Sequence, residues 1–276
     1  MKNTQQIHDT AFVTASYRAS NEELSKDSYS KYWQNPRTAE WIHKILTEVS
    51  PDEPHTHCLR NRYFYETIKR LKKDQKIEVL INLGAGFSMY PFLFEEDLIN
   101  IEIDKADNIH FKKKEIKKLQ DAGKLPKRDI HYIARDFNLE KAELLEEIKT
   151  IVQARPSFVL IEGVIFFLSK KVTNEVFDLI SQIQVTGSYV GSVSFLDSIK
   201  DTACFKRLIK FFQEDLASGL SLEYLTLATE YYGSLASYEL IEHEDYVSLS
   251  KEYSPNNIFE NGDLILNENM YLLKRN

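Results

Sequence analysis

The segment that most limits how this chain can fold lies between Ile77 and Asp104. Ile77-Glu78-Val79-Leu80-Ile81-Asn82-Leu83 is a short, largely apolar, β-branched run that stops at Gly84-Ala85-Gly86. A second run, Ile99 to Asp104, ends in acid twenty residues after Gly84. Strand, glycine turn and a second strand closing on a carboxylate is how a doubly wound α/β sheet begins, with its ligand site at the carboxyl edge of the strands. Glycine at the turn lets backbone approach a ligand closely. The acid can accept hydrogen bonds from ribose hydroxyls.

The neighbouring sequence extends this pattern. Ile130 to Ala134, part of Ser157 to Phe167, and Ser188 to Phe195 read as further strands. Helical periodicities lie between them, at Ile109 to Leu119, Leu139 to Val152 and Val172 to Ile183. Strands alternating with helices predict a parallel sheet with right-handed crossovers. Upstream, Trp33, Trp41, Ile42, Ile45, Leu46 and Val49 share one helical face. Ser50-Pro51-Asp52-Glu53-Pro54 interrupts it, and a second helix is expected from about Leu59 to Lys72. Downstream, Phe205 to Leu216 reads as an amphipathic helix, and Tyr238 to His243 and Met270 to Lys274 as late strands. The expectation is one α/β domain with a doubly wound, mostly parallel sheet. Residues 1–75 form a helical N-terminal portion, 76–200 the cofactor-binding core, and 201–276 a cap with closing strands.

Composition narrows the function. Of 276 residues, 43% are hydrophobic, enough for a sizeable core. A formal net charge of -7 gives no electrostatic support to a nucleic-acid partner. There is no apolar run of about 18 residues to span a membrane, and Met1 to Ala19 lacks the apolar stretch of a signal peptide. Two cysteines, Cys58 and Cys204, make no disulfide framework, so the cytoplasm is the expected setting. His55, His57 and Cys58 resemble half of a metal cluster but lack the other half, and no metal is expected. Lys112 to Lys118 reads as a solvated helix face.

A dinucleotide fingerprint needs a third glycine where this chain has Met89. That glycine gives the close helix packing that accompanies pyrophosphate binding. An adenosyl cofactor without phosphates does not need it, so the pattern favours S-adenosylmethionine over NAD.

Four segments carry a resemblance. They are Lys31-Tyr32-Trp33-Gln34-Asn35-Pro36, Leu59-Arg60-Asn61-Arg62-Tyr63-Phe64, the run Val79 to Gly86 continuing to Ile101-Glu102-Ile103-Asp104, and Ile161-Glu162-Gly163-Val164-Ile165-Phe166-Phe167-Leu168. In order and spacing, from about Thr14 to Ile183, the chain resembles the leucine carboxyl methyltransferase family, which implies a Rossmann-like methyltransferase fold and S-adenosylmethionine as cofactor. By that resemblance Arg60 grips the carboxylate of the cofactor's methionyl part, a task that suits a planar guanidinium. Arg18 stands where a second cation would lie. Gly84, Ala85 and Gly86 line the methionyl and ribose region, and Asp104 holds the ribose, with Glu102 as the alternative neighbour. Asp136 and the Phe137 backbone address the adenine, and Glu162 lies beside the cofactor's amino group. The chain departs from the family at Ser88 and Leu93, where many members carry an aspartate and an arginine.

Methyl transfer from a sulfonium is a single in-line displacement, so positioning is the protein's main task. A carboxylate acceptor, with a reference pKa of about 4, is already ionised at neutral pH and needs no base. The matched motifs offer no convincing His or Lys base. The expected activity is O-methylation of a carboxylate or other oxygen of a small molecule or peptide. The alternatives are a class I methyltransferase of other specificity, acting on nitrogen or another small molecule, and a non-catalytic S-adenosylmethionine-binding protein.

Overall fold

The computed structural model describes residues 3–74, 76–94, 98–136, 139–215 and 224–276. Its strands are β1 Val79–Leu83, β2 Ile99–Asp104, β3 Ile130–Ala134, β4 Ser157–Ile161, β5 Tyr189–Ser194, β6 Tyr238–Asp245 and β7 Asn269–Arg275. The α-helices are α1 Asn3–Ala19, α2 Glu22–Ser25, α3 Ala39–Lys44, α4 Glu53–Lys73, α5 Tyr90–Leu93, α6 Ala106–Asp121, α7 Lys141–Val152, α8 Lys170–Ile183, α9 Ala203–Asp215, α10 Thr229–Gly233 and α11 Tyr246–Tyr253.

All seven strands form one sheet in the order β3-β2-β1-β4-β5-β7-β6. The first five are parallel, and β7 runs antiparallel to both β5 and β6. The strand order reverses direction between β1 and β4. In open α/β sheets this switch point opens the crevice in which ligands bind.

Side-chain alternation divides each central strand between two cores. Leu80, Phe158 and Leu160 pack with α1, α4 and α9 on one face. Val79, Ile81, Val159 and Ile161 pack with α7 and α8 on the other. Every residue of β1, β4 and β5 is buried, as strands covered by helices on both sides must be.

The N-terminal helical face is broken into pieces. Trp33 ends a 3-10 turn, Ser30–Trp33, Pro36 opens another, and α3 passes into a π-helical turn over Ile45–Val49. The helix expected from about Leu59 starts six residues earlier, at Glu53. Pro54 lies in its first turn, where a missing N–H leaves no hydrogen bond unmade. The predicted helix end at Leu216 lies outside the described residues. Among the described residues no helix is long and apolar enough to cross a membrane.

Helix α4 links core to crevice. Glu53, His57, Arg60 and Phe64 recur at the spacing of one helical face. Phe64 docks on β5 so tightly that a Cβ on Gly191 would lie 2.8 Å from its ring. The N-terminal turns of the same face lie beyond this contact, where Arg60 meets the carboxyl edge of the sheet.

Candidate functional site

The turn after β1 is tied to the end of β2. Gly84 and Ala85 donate their backbone N–H groups to the Ile103 carbonyl at 2.8 and 3.0 Å. Gly86 donates to Asp104 Oδ2 at 2.8 Å. Gly84 has φ +76, and a Cβ there would sit 2.2 Å from Val164 Cγ2, so the segment after β4 rests directly on the turn. Gly86 has φ +43, yet a Cβ on it would meet nothing nearer than 3.9 Å. That is ordinary van der Waals contact, with Ala11 Cβ and the Gly84 carbonyl, while the left-handed backbone strains any side chain placed there. We expect Gly86→Val to leave the sheet folded and to weaken S-adenosylhomocysteine binding at least tenfold by calorimetry, because the strained, branched residue reshapes the turn against which the cofactor would lie.

Asp104 is oriented by its neighbours. Its Oδ1 accepts from Lys105 N at 2.7 Å and from Asn108 Nδ2 at 2.9 Å. With the Gly86 bond, three of roughly four lone-pair positions are filled. The remaining one suits a ribose hydroxyl.

Glu102, two residues earlier on the same strand face, has a different partner. Its Oε1 accepts from Lys112 Nζ at 2.7 Å, with both side chains 1% exposed. Lys112 Nζ also lies 3.4 Å from the Ala85 carbonyl, beneath the turn. The basic run is therefore not uniformly a solvated face. Lys112 points inward, while Lys113, Lys114, Lys117 and Lys118 are exposed.

Arg18 Nε donates to Asp27 Oδ2 and Ser30 Oγ, both at 3.2 Å, and its NH2 group donates to the Phe87 carbonyl at 3.0 Å. It thus ties α1 to the residue that follows the turn. Trp33 stacks on Phe87 with ring centroids 4.6 Å apart. Ser88 Oγ donates to the Ala85 carbonyl at 2.9 Å and accepts from Asn82 Nδ2 at 2.5 Å. Where many family members carry an aspartate, a hydroxyl closes the turn. Leu93 packs against the core.

Arg60 reaches across the crevice. Its Nε donates to Glu162 Oε1 at 2.8 Å, and its NH1 group donates to Glu268 Oε2 at 2.6 Å. Glu162 follows β4 and Glu268 immediately precedes β7, so one guanidinium joins both sides of β5. Burial opposes its charge, and the two carboxylates more than offset that, holding its pKa well above the ordinary value. Tyr90 donates to Glu162 Oε2 at 3.0 Å, and Tyr246 to Glu268 Oε2 at 2.5 Å. Two of the five N–H donors of the Arg60 fork are thereby engaged. Among the described residues the other three have no acceptor.

Glu53 and His57 continue the same face of α4. His57 Nδ1 lies 2.8 Å from the Glu53 carbonyl, and burial, then Arg60, holds its pKa well below the ordinary value. Glu53 Oε1 is buried without a partner. Burial, then nearby Glu268, pushes the Glu53 carboxyl up to about 8. A carboxyl raised on folding binds its proton more tightly in the native state. That stability is fully present below about 4.5, the ordinary value, and is lost as pH rises toward about 8. We expect urea unfolding to show a decline of about 1 kcal/mol per pH unit across that window. Glu53→Gln should flatten it.

Asp136 follows β3, with its side chain 4.0 Å from Lys105 Nζ. It does not cap α7, which starts at Lys141 with Glu140 in the cap position. Phe137 lies outside the described residues. Sequence reasoning missed Glu268, Tyr90, Tyr246, Glu53 and the Lys112 partner of Glu102. Glu268 and Arg60 are 208 positions apart, and only the sheet order brings them together.

A family model described as leucine carboxyl methyltransferase matches residues 9–181. Among solved structures, a candidate methyltransferase from Thermobifida fusca YX is 12% identical with a TM-score of 0.67, over 96% of this chain and 94% of that one. A DUF574 family protein from Streptomyces avermitilis MA-4680 is 13% identical with a TM-score of 0.67, over 97% of each chain. Both likenesses are of fold. No curated protein sequence matches.

Proposed function

Because this chain belongs to the leucine carboxyl methyltransferase family and is an S-adenosylmethionine-dependent methyltransferase, we propose that it methylates an oxygen, and specifically a carboxylate, of a small molecule or peptide. The observation that carries the cofactor site is the buried Arg60 fork, held by Glu162 and Glu268 with three donors uncommitted. A buried guanidinium with open donors calls for an anionic acceptor, and the methionyl carboxylate provides one.

In this reading Gly84, Ala85 and Gly86 line the methionyl and ribose region, Asp104 takes the ribose hydroxyls, and Asp136 with the Phe137 backbone addresses the adenine. Glu162 lies beside the amino group. Arg18 braces the turn from the N-terminal side, and Glu102 supports it from beneath through Lys112. When bound, the cofactor supplies an electrophilic methyl group on sulfonium sulfur. The chain's residues hold the reactants and exclude water. Glu162 is engaged by Arg60 and Tyr90, and neutral His57 by the Glu53 carbonyl. The family's own description names a carboxyl.

The test uses methyl-labelled S-adenosylmethionine with a panel of carboxylic acids, phenols and amines. A methyl ester releases labelled methanol in mild alkali, which is the expected result. Label that survives as an ether or an amine overturns the carboxylate and supports the other specificities. Cofactor binding with no transfer to any panel member supports the non-catalytic reading.

A further inference from the structure

The hydrogen-bond cluster around Arg60 extends beyond the matched segment, to the start of the strand that closes the sheet. Glu268 stands outside residues 9–181, immediately before β7. Both of its hydrogen bonds, from Arg60 NH1 at 2.6 Å and from the Tyr246 hydroxyl at 2.5 Å, fall on Oε2. Oε1 has no partner among the described residues, although the side chain is only 9% exposed. Glu162 differs, since Arg60 takes one of its oxygens and Tyr90 the other. The uncommitted carboxylate oxygen next to the Arg60 fork therefore belongs to Glu268.

Charge points the same way. One guanidinium faces two carboxylates in a buried setting. Such a cluster is short of a cation, and unpaired buried charge is costly. The methionyl end of the cofactor carries an ammonium beside its carboxylate. Resting on the cofactor reading above, we propose that Glu268 Oε1 receives that ammonium while the open donors of Arg60 receive the carboxylate, so that β7 contributes a cofactor-binding residue. Tyr246 is the positioning residue that holds Glu268 in place through Oε2.

Calorimetry with two probes tests this. S-adenosylhomocysteine carries the amino-acid group, and 5′-methylthioadenosine lacks it. Glu268→Gln should weaken the first at least tenfold and leave the second within twofold of the parent. Tyr246→Phe keeps the carboxylate and loses its orienting bond. It should weaken S-adenosylhomocysteine alone, by a smaller factor, and it carries the test should Glu268→Gln not fold. Equal losses for both probes would reduce Glu268 to a structural role and overturn the proposal. Unchanged or tighter binding of S-adenosylhomocysteine by Glu268→Gln would overturn it too, since Glu268 would then only compete for Arg60. A parent protein that binds neither probe would overturn the cofactor reading itself, a result distinct from both.

Discussion

Arg60→Ala should lose about 3–5 kcal/mol of stability in urea unfolding, because it strands two buried carboxylates at once. Glu162 and Glu268 would keep only the hydroxyls of Tyr90 and Tyr246 as partners. The same change should weaken S-adenosylhomocysteine by a further 1.5–3 kcal/mol or about 10- to 150-fold, the usual range for a charge-assisted hydrogen bond. These two losses are separable. Neutralising the cluster together, as Arg60→Met with Glu162→Gln and Glu268→Gln, removes the unpaired charges and should restore most of the stability. It should not restore binding, since no fork remains to hold a carboxylate. Arg60→Lys should fall between, because an ammonium cannot reproduce a planar fork. If Arg60→Ala binds as tightly as the parent, Arg60 is not the cofactor's anchor.

Lys112→Met should be comparably damaging to the fold, by about 3–5 kcal/mol, for a different reason. Lys112 and Glu102 form a fully buried pair, and Glu102 Oε2 already lacks a partner. Burial pushes the Glu102 carboxyl up and the Lys112 amine down, each opposed by the other's charge. Their attraction mainly offsets the desolvation of both, so the pair itself adds little. Breaking it leaves a carboxylate with nothing to answer it. Lys112→Met combined with Glu102→Gln should recover most of the loss. Lys112→Met should also loosen the glycine turn, since Lys112 reaches the Ala85 carbonyl. A Lys112→Met protein with parental urea stability would contradict this.

The two pairs mark where sequence reading works and where it stops. The strands of the parallel part of the sheet were legible because most are short apolar runs punctuated by glycine or acid, and local pattern decides strand identity. The glycine turn and Asp104 were legible for the same reason, as neighbours along one β-α-β unit. Arg60 could be named only through its segment's resemblance to a family. Its second partner, Glu268, lies in a stretch with no local signature, and the pairing depends on β7 inserting beside β5. Lys112 was misread because its neighbours Lys113, Lys114, Lys117 and Lys118 are exposed. A charge run does not reveal which member turns inward to meet an acid on the adjacent strand. The early start of α4 was missed because Pro54 reads as a breaker, although proline in a first helical turn is harmless.

The glycine turn, Asp104 and Arg60 all lie at the carboxyl edge of the sheet, and the direct test of a cofactor site there is thermal unfolding with S-adenosylhomocysteine and, separately, with NADH. A ligand bound only by the native state at a hundredfold excess over its Kd adds about 2.7 kcal/mol. Millimolar S-adenosylhomocysteine should therefore raise the melting temperature by several degrees, and NADH should leave it unmoved. A melting curve that NADH raises and S-adenosylhomocysteine does not shift would contradict the account at its centre.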